Sequence, residues 1–313
     1  MTKWTTAQIL PQNGKLAVIT GSNSGIGFHA ARELARAGCA VVLACRDAQK
    51  AAAARQRIAA EIPQALVEVG VLDLASLASI RKFAAEFLGT GRLLDLLINN
   101  AGVMAYPKRR TTVDGFEAQF GTNHLGHFAL TGLLLPAVIA APAGRIVTVS
   151  SIAHKGGIIH FDDLQWERGY SGWAAYRQSK LANLLFGFEL ERRLRAAGTN
   201  ATSIVVHPGV ANTALFQNGP GASNALLRRF MSLLLPIISQ TDEQGALPTL
   251  YGAVSPEAKG GKFYGPDGWR EMKGYPVEVE PEPQAKDLAD ANRLWTISEQ
   301  LTGVTYSLLD RVA

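Results

Sequence analysis

Short apolar runs alternate with longer segments of helical periodicity along the first two thirds of the chain. The apolar runs lie at 16–20, 41–45, about 66–72, 94–98, 145–149 and 202–206. The helical segments lie at 27–38, 47–62, 76–88, 114–139 and 173–197. Apolar runs of this length are typical of strands buried in a parallel sheet. Because these strands alternate with long helices, the pattern predicts an α/β fold: a single-domain, doubly wound parallel sheet of about seven strands with helices on both faces.

The pattern weakens after residue 207, although no linker or repeat interrupts the chain, so we expect one domain over 1–313. A last strand is predicted at 262–264, irregular structure at 260–283 and a C-terminal helix at about 285–303. The segment at about 213–242 follows the sheet and is expected to be a substrate loop over its carboxyl edge. Within this loop the apolar stretch 231–238, with Leu226, Leu227 and Phe230, fits a pocket lid, a core helix or an interfacial amphipathic helix. Peripheral membrane contact therefore stays an alternative.

Composition and charge narrow the classes of function. The chain is 47% hydrophobic and 18% charged, which is ordinary for a globular protein. Its net charge of +5 is dispersed, which argues against a nucleic-acid partner. We expect no transmembrane segment, because no apolar run is long enough to span a membrane. We expect no export signal, because the N-terminal segment is not apolar, and no metal site, because no cluster of His, Cys, Asp and Glu has the spacing of metal ligands. Cys39 and Cys45 form no CxxC pair, so reduced thiols and a cytoplasmic location are expected.

A glycine-rich turn follows the first predicted strand and opens the first predicted helix. Gly21, Gly25 and Gly27 have the spacing GxxxGxG. Glycines there allow a tight turn and a close approach of the backbone to a pyrophosphate at a helix N-terminus. A purely structural turn is the alternative. The residues expected to contact a dinucleotide here are Gly21, Ser22, Asn23, Ser24, Gly25, Ile26 and Gly27.

The end of the second predicted strand bears on which dinucleotide is bound. A site for NAD(H) needs a carboxylate there for the ribose diol, whereas this strand ends at Cys45 and is followed by Arg46. A guanidinium offers bidentate geometry to a 2′-phosphate. Asp47 is the possible rival, but its place before a helix favours an N-cap. The sequence therefore predicts NADP(H), with NAD(H) as the less favoured alternative.

A tyrosine and a lysine, Tyr176 and Lys180, share one face of the long helix predicted at 173–197. A phenol can exchange a proton near neutral pH only if its pKa, about 10 when unperturbed, is lowered. We expect the Lys180 charge and an oxidised nicotinamide to lower it. Ser151 ends the fifth predicted strand, where its hydroxyl can bind a substrate oxygen. Each of these residues is uninformative alone, and the combination predicts proton transfer coupled to hydride transfer.

Six motifs occur in the order characteristic of one superfamily. They are 20–27, Asn99-Asn100-Ala101-Gly102, Asn123, Ser150-Ser151, Tyr176-xxx-Lys180 and His207-Pro208-Gly209. Over about residues 14–213 the chain resembles the short-chain dehydrogenase/reductase superfamily, which implies a Rossmann-type fold and an NADP(H)-dependent oxidoreductase. The motifs at 44–47, 150–154, 179–183, 293–295 and 301–304 resemble the retinol-dehydrogenase-type, WW-domain-oxidoreductase-like branch.

The resemblance also implies roles for individual residues. The catalytic set would be Asn123, Ser151, Tyr176 and Lys180, with Asn123 in a water-linked proton relay through Lys180; a solvent-facing helical asparagine is the alternative for Asn123. Tyr176 and Lys180 would contact the cofactor as well. The remaining cofactor contacts would be Asp73 at the adenine with Leu74 beside it, Asn99, Ala101 and Gly102 along the cleft, Pro208, Gly209 and Val210 beneath the nicotinamide, and Thr213 at its amide.

The expected substrate-binding residues are Ser151, Met104, His154, Trp173 and Phe216. Their mostly apolar character suits an apolar ketone, aldehyde or alcohol, although most would serve equally in a core. The 25 positions from Ser151 to Tyr176 exceed the spacing common in the superfamily and leave a homodimer or a homotetramer open.

Two other functions are compatible with the motifs. A light-driven C=C reductase resembling protochlorophyllide oxidoreductase would need a cysteine near the substrate, whereas Cys39 and Cys45 fall beside the adenosine half. A nucleotide-sensing protein without turnover would be expected to lack Tyr176 or Lys180, and both are present.

Overall fold

A computed structural model describes residues 3–210 and 240–310, and eight strands of this part form one sheet. The strands are β1 (Leu16–Thr20), β2 (Ala40–Cys45), β3 (Val67–Val71), β4 (Leu96–Asn99), β5 (Arg145–Val149), β6 (Thr202–Val206), β7 (Phe263–Pro266) and β8 (Pro276–Glu278). Their order is β3-β2-β1-β4-β5-β6-β7-β8. Every neighbouring pair is parallel except β7 and β8. The predicted α/β fold with a mostly parallel sheet is confirmed.

Helices cover both faces of the sheet. Those described are α1 (Gly25–Arg36), α2 (Ala48–Glu61), α3 (Leu77–Leu88), α4 (Ala118–Ala140), α5 (Gly172–Ala196), α6 (Asp242–Val254) and α7 (Leu288–Thr302). Side chains alternate along β1: Ala17 and Ile19 join the core under α1, α2 and α6, whereas Leu16 and Val18 join the core under α3 and α4. This two-residue alternation between buried faces explains why the strands are continuously apolar.

The helix α4 is the most apolar long helix in the described residues. Its length and composition would allow it to cross a membrane, but 72% of its apolar window is buried inside the protein. Its side chains Phe128 and Leu130 have no exposed surface. Packing against the sheet and its neighbours therefore accounts for the apolar character of this helix.

Two elements differ from the sequence prediction, and both lie after residue 240. The helix α6 follows the predicted substrate loop, in a segment for which the sequence predicted no element because Gly245, Pro248 and Gly252 obscure its periodicity. The strand β8 lies within the stretch predicted as irregular and raises the number of strands to eight. Pro276 begins it at the edge of the sheet, where a missing N–H is tolerated. Most of the predicted substrate loop, including 231–238, lies outside the described residues.

Candidate active site

A cavity of about 800 Å³ lies at the carboxyl ends of the central strands. Residues that follow consecutive strands line it: Gly21 after β1, Arg46 after β2, Asp73 after β3, Asn100 after β4 and Ser150 after β5. The order of the strands reverses between β1 and β4. In open α/β sheets this switch point is where ligands bind.

The glycine turn at the start of α1 can exist only with glycines at two of its positions. Gly21 has φ +64°, and a Cβ there would lie 2.9 Å from the Cβ of Ala101. A Cβ on Gly27 would overlap the side chain of Asn100 and lie 2.8 Å from the Gly21 carbonyl oxygen. Ser24, the N-cap of α1, makes no side-chain cap bond in the described structure, so N–H groups of the first turn stay available for an anion. The turn fits a pyrophosphate.

Most of the residues predicted to hold a dinucleotide line this cavity. They are Gly21, Asn23, Ser24, Gly25, Ile26, Gly27, Arg46, Asp73, Leu74, Ala101, Gly102, Tyr176, Lys180 and Pro208. Ser22 has no exposed surface, and its hydroxyl donates a 2.8 Å hydrogen bond to the Ile19 carbonyl, so its side chain supports the turn from behind.

The part of the cavity that follows β2 presents an exposed guanidinium. Arg46 lines the cavity and is exposed. Asp47 caps α2 as the sequence predicts: its Oδ1 accepts a 3.0 Å hydrogen bond from the Lys50 N–H, and this bond lowers the pKa of the carboxyl. The Asp47 carboxylate is therefore committed to the helix, and Arg46 remains as the positively charged group that follows β2.

The asparagine at the cleft is Asn100 rather than Asn99. Asn99 is fully buried, and its Nδ2 donates to the Thr131 hydroxyl on α4 at 2.9 Å. Asn100 lines the cavity, and its Nδ2 donates to the Thr20 carbonyl at 2.9 Å. The Asn99 side chain points away from the cavity because successive residues of a strand point to opposite faces of the sheet, and Asn99 shares the face of Leu97 toward α4. A contact of Asn99 with the cofactor stays a prediction.

Tyr176 and Lys180 reach the cavity together from α5. The Lys180 Nζ lies 5.8 Å from the centre of the Tyr176 ring and donates a 3.1 Å hydrogen bond to the Val149 carbonyl. The Tyr176 hydroxyl is hydrogen-bonded to the side chain of Ser151. The neighbouring Ser150 hydroxyl donates to the Lys180 carbonyl at 2.7 Å and is thereby committed to α5. Ser151 is therefore the serine beside the phenol.

Burial dominates the protonation of these two side chains. It raises the pKa of Tyr176 above its usual value, and the hydrogen bond from Ser151 opposes this only in part. It lowers the pKa of Lys180 to about 8. The expected lowering of the Tyr176 pKa is thus not produced by these residues alone, because desolvation of the phenolate outweighs them. Deprotonation of Tyr176 needs a further positive charge in the cavity.

Asn123 lies in a π-helical turn of α4, Gly121–Leu125, and is fully buried. Its Oδ1 accepts from the Val103 N–H at 2.8 Å, and its Nδ2 donates to the Val103 carbonyl and to the Ser179 hydroxyl, each at 2.9 Å. The solvent-facing alternative is therefore excluded. Asn123 joins the chain after β4 to the helix that carries Tyr176 and Lys180. Single π-helical turns often occur at functional sites.

The turn after β6 packs against the backbone of Met272. Gly209 has φ +65°, and a Cβ there would collide with the Met272 carbonyl. The Val210 N–H donates to this same carbonyl at 2.7 Å. Pro208 lines the cavity, so the predicted turn 208–210 is in place. Thr213 and Phe216, the next predicted contacts, lie outside the described residues.

Sequence reasoning missed Glu271, which lies between β7 and β8. Its carboxylate contacts the Lys155 Nζ at 2.6 Å and the His207 Nε2 at 3.1 Å, and these groups hold its pKa at about 2. The Gly209 N–H donates to the His207 Nδ1, so the proton of this ring is on Nε2, toward Glu271. Glu271 therefore ties the chain after Ser151 to the turn at 207–209. Arg270 and Glu271 have φ of +50° and +58°, strain that only the fold reveals.

The predicted substrate residues separate into two groups. Met104 lines the cavity and packs on Tyr176, and the Trp173 ring stands edge-on to the Tyr176 ring at 6.0 Å. His154 has no exposed surface; its Nδ1 donates to the Ser151 carbonyl at 2.7 Å, and burial lowers its pKa to about 4. His154 thus supports the turn that follows Ser151 and is not among the residues that line the cavity, so its contact with a substrate stays a prediction.

Several known proteins are similar to this chain in sequence, and one solved structure is similar to it in fold. The sequence profile of the short chain dehydrogenase family matches residues 15–221. Human retinol dehydrogenase 13 is 44% identical over 294 residues, covering 93% of this chain and 85% of that protein. Mouse polyprenol dehydrogenase is 41% identical over 307 residues, covering 97% of this chain and 88% of that protein. The solved structure of an uncharacterized protein from Mycobacterium paratuberculosis is 43% identical, with a TM-score of 0.80 over 97% of this chain and 99% of that one.

The profile match spans well over half of the chain, and it contains the glycine turn, Ser151, Tyr176 and Lys180. This chain belongs to the short chain dehydrogenase family of nicotinamide-dependent oxidoreductases, which act on alcohols and carbonyls.

Proposed function

We propose that this protein is an NADP(H)-dependent oxidoreductase that interconverts an apolar alcohol and the corresponding aldehyde or ketone. One observation carries the proposal: the Tyr176 phenol, the Lys180 ammonium and the glycine turn all open into the same cavity, with Ser151 bonded to the phenol. Carbonyl reduction is the expected direction, because NADP is held mostly reduced in cytoplasm. A cytoplasmic location is part of the proposal, and the free and buried thiols of Cys39 and Cys45 support it.

When bound, the nicotinamide ring supplies or accepts the hydride at the substrate carbon. The side chains manage the oxygen and the proton. In reduction Tyr176 donates its phenolic proton to the substrate oxygen, and in oxidation it accepts that proton as general base. Ser151 donates a hydrogen bond to the same oxygen and stabilises the negative charge that develops there. The Lys180 ammonium stabilises the phenolate left on Tyr176. The rate of oxidation should therefore rise with pH, and the rate of reduction should fall once Tyr176 or Lys180 loses its proton.

The preference for NADP(H) rests on Arg46. We expect Arg46→Ala to weaken NADPH binding by about tenfold or more, because a charge-assisted contact to the 2′-phosphate is lost, and to leave NADH binding within about twofold. Fluorescence titration of both cofactors measures this difference.

Arg55→Ala is the matched control. Arg55 is an exposed arginine on α2, outside the cavity, so this variant removes the same charge away from the site. Equal weakening of NADPH binding in both variants would mean that Arg46 acts through the net charge of the protein and not through a specific contact. Equal weakening of NADPH and NADH in Arg46→Ala would contradict a 2′-phosphate contact.

For the substrate we propose an apolar carbonyl compound or alcohol of isoprenoid type. Met104 and Trp173 beside Tyr176 are apolar, and the relatives named above are a retinol dehydrogenase and a polyprenol dehydrogenase. Oxidation of NADPH with retinal, a polyprenal and short apolar ketones tests both the activity and the chain length. Faster turnover of the long aldehydes supports the proposal. Tight NADPH binding with no turnover on any compound would indicate a nucleotide sensor, and reduction confined to C=C bonds would indicate the protochlorophyllide-type reaction.

A further inference from the structure

A buried imidazole, His127, lies on α4 one helical turn after Asn123 and is 1% exposed. Its Nδ1 is 2.9 Å from the Asn123 carbonyl oxygen. A carbonyl only accepts hydrogen bonds, so Nδ1 carries the proton and Nε2 is the acceptor. Burial lowers the pKa of His127 to about 4, with the nearby charge of Lys180 adding to the effect. The ring is therefore neutral and in a single tautomer at physiological pH.

The acceptor nitrogen of His127 faces the start of the glycine turn. Thr20 is the last residue of β1, and its Oγ1 lies 2.9 Å from the His127 Nε2. The same Oγ1 accepts from the N–H groups of Asn100 and Ala101, each at 2.9 Å. With two donors already directed at this oxygen, its own proton is left for His127 Nε2, since the other acceptor in reach, the Ile98 carbonyl, is 3.4 Å away.

One directed chain of hydrogen bonds therefore crosses the site. It runs from the backbone N–H groups of Asn100 and Ala101 to Thr20, from the Thr20 hydroxyl to His127 and from the His127 Nδ1–H to the Asn123 carbonyl. At one end Asn100 and Ala101 line the cofactor cavity. At the other end Asn123 holds Val103 and the helix of Tyr176 and Lys180.

We propose that His127 is a positioning residue that holds the cofactor turn and the Asn123–Lys180 side of the site in one fixed arrangement, without touching the substrate. This inference rests on the proposed function for its kinetic consequences. The hydrogen-bond chain itself predicts properties of the free protein that do not depend on any turnover.

Two amide substitutions separate the two contacts of the ring. The amide nitrogen of His127→Asn takes the place of Nδ1, so this variant keeps a donor for the Asn123 carbonyl and loses Thr20. The amide oxygen of His127→Gln takes the place of Nε2, so this variant keeps the acceptor for Thr20 and loses the donor to Asn123. We expect His127→Asn to raise the NADPH dissociation constant about tenfold with kcat within about threefold, as for loss of a buried hydrogen bond.

The second variant, His127→Gln, should lower kcat and leave NADPH affinity nearly unchanged. We expect His127→Gln to lower kcat about tenfold and to shift the pH profile of kcat, with the NADPH dissociation constant within about threefold. His124→Gln is the control: His124 is a neighbouring buried histidine of α4 that bonds Ser298 on α7 and does not line the cavity. It should change stability alone.

NMR of histidine-labelled free protein provides the readout that is independent of activity. Supporting results are a His127 ring protonated on Nδ1 that does not titrate between about pH 5 and 9, together with the split described above. The proposal is overturned by an Nε2–H tautomer, or by Asn and Gln variants that alter kcat and NADPH affinity equally. If no substrate is turned over, the NMR and NADPH titrations still decide the role of His127, and only the proposed reaction fails.

Discussion

Replacing Tyr176 by phenylalanine should lower turnover at least about a hundredfold while NADPH affinity stays within about threefold, because the variant removes the group that exchanges a proton with the substrate oxygen. The Tyr176 ring is buried against Met104, so the phenylalanine ring fills the same space. The glycine turn and Arg46 are untouched. Steady-state kinetics with the best carbonyl substrate and NADPH titration of the same preparation measure the two quantities.

Tyr106→Phe is the matched control for this prediction. Tyr106 also lines the cavity, but its ring packs under the Arg110 guanidinium, 4.8 Å from the ring centre. Removal of the Tyr106 hydroxyl should leave kcat within about twofold of the parent value, because this group takes no part in the proton transfer. Near-normal turnover of Tyr176→Phe, or an equal loss in both variants, would contradict the role of Tyr176.

The turnover of Ser151→Ala should lie between the values of Tyr176→Phe and Tyr106→Phe. We expect its kcat to be about tenfold to a hundredfold lower than that of the parent, because one hydrogen-bond donor to the developing oxyanion is lost.

The parts of the site that sequence alone predicts are those built from contiguous residues. The glycine turn follows β1 directly, Tyr176 and Lys180 are one helical turn apart, and Asp47 caps the helix that it precedes. Each depends on local geometry of the backbone, which short-range spacing encodes. The alternation of apolar runs and helices likewise predicts the parallel sheet, because it reflects burial on both faces.

The parts that sequence alone does not predict depend on contacts between distant segments. Glu271 meets Lys155 across 116 positions, and nothing near Glu271 in the sequence marks it. Asn100 rather than Asn99 lines the cavity because the two side chains point to opposite faces of the sheet, and which face borders the cavity is decided by the fold. His154 follows Ser151 closely, yet its ring turns back to the Ser151 carbonyl rather than into the cavity. The helix α6 is hidden because its glycines and Pro248 serve close packing: a Cβ on Gly252 would lie 3.1 Å from Val206.

Burial of charged groups at the site lowers the free energy of unfolding, and Lys180 is an example. The side chain is 4% exposed, and burial lowers its pKa to about 8, below the usual 10.5. Below pH 8 the lysine is charged in both the folded and the unfolded chain, so the full cost of burying the charge opposes folding. Between pH 8 and 10.5 the folded chain loses its proton first, so stability should rise with pH through this window.

Lys180→Met should therefore lower turnover at least about a hundredfold and make the free protein more stable at pH 7. The lowered pKa corresponds to about 3 kcal/mol, from which the lost hydrogen bond to the Val149 carbonyl subtracts about 1 kcal/mol. A net gain of about 2 kcal/mol in the free energy of unfolding is expected at pH 7; it should fall to zero near pH ~9.5 and become a loss of about 1 kcal/mol by pH ~10.5, where only the missing hydrogen bond remains. Urea unfolding of the parent and the variant at several pH values measures this difference.

Lys82→Met supplies the control for the stability measurement. Lys82 is an exposed lysine of α3, with 78% of its side chain accessible, so its removal should change the free energy of unfolding by no more than about 0.5 kcal/mol at any pH. A Lys180→Met protein that is less stable than the parent at pH 7 would mean that the buried ammonium is compensated in the free protein. A stability gain that does not depend on pH would assign the effect to packing of the methionine and not to the charge. A gain that disappears as the lysine deprotonates, together with the loss of turnover, would show that the protein retains a destabilising charge at this position because its reaction needs it.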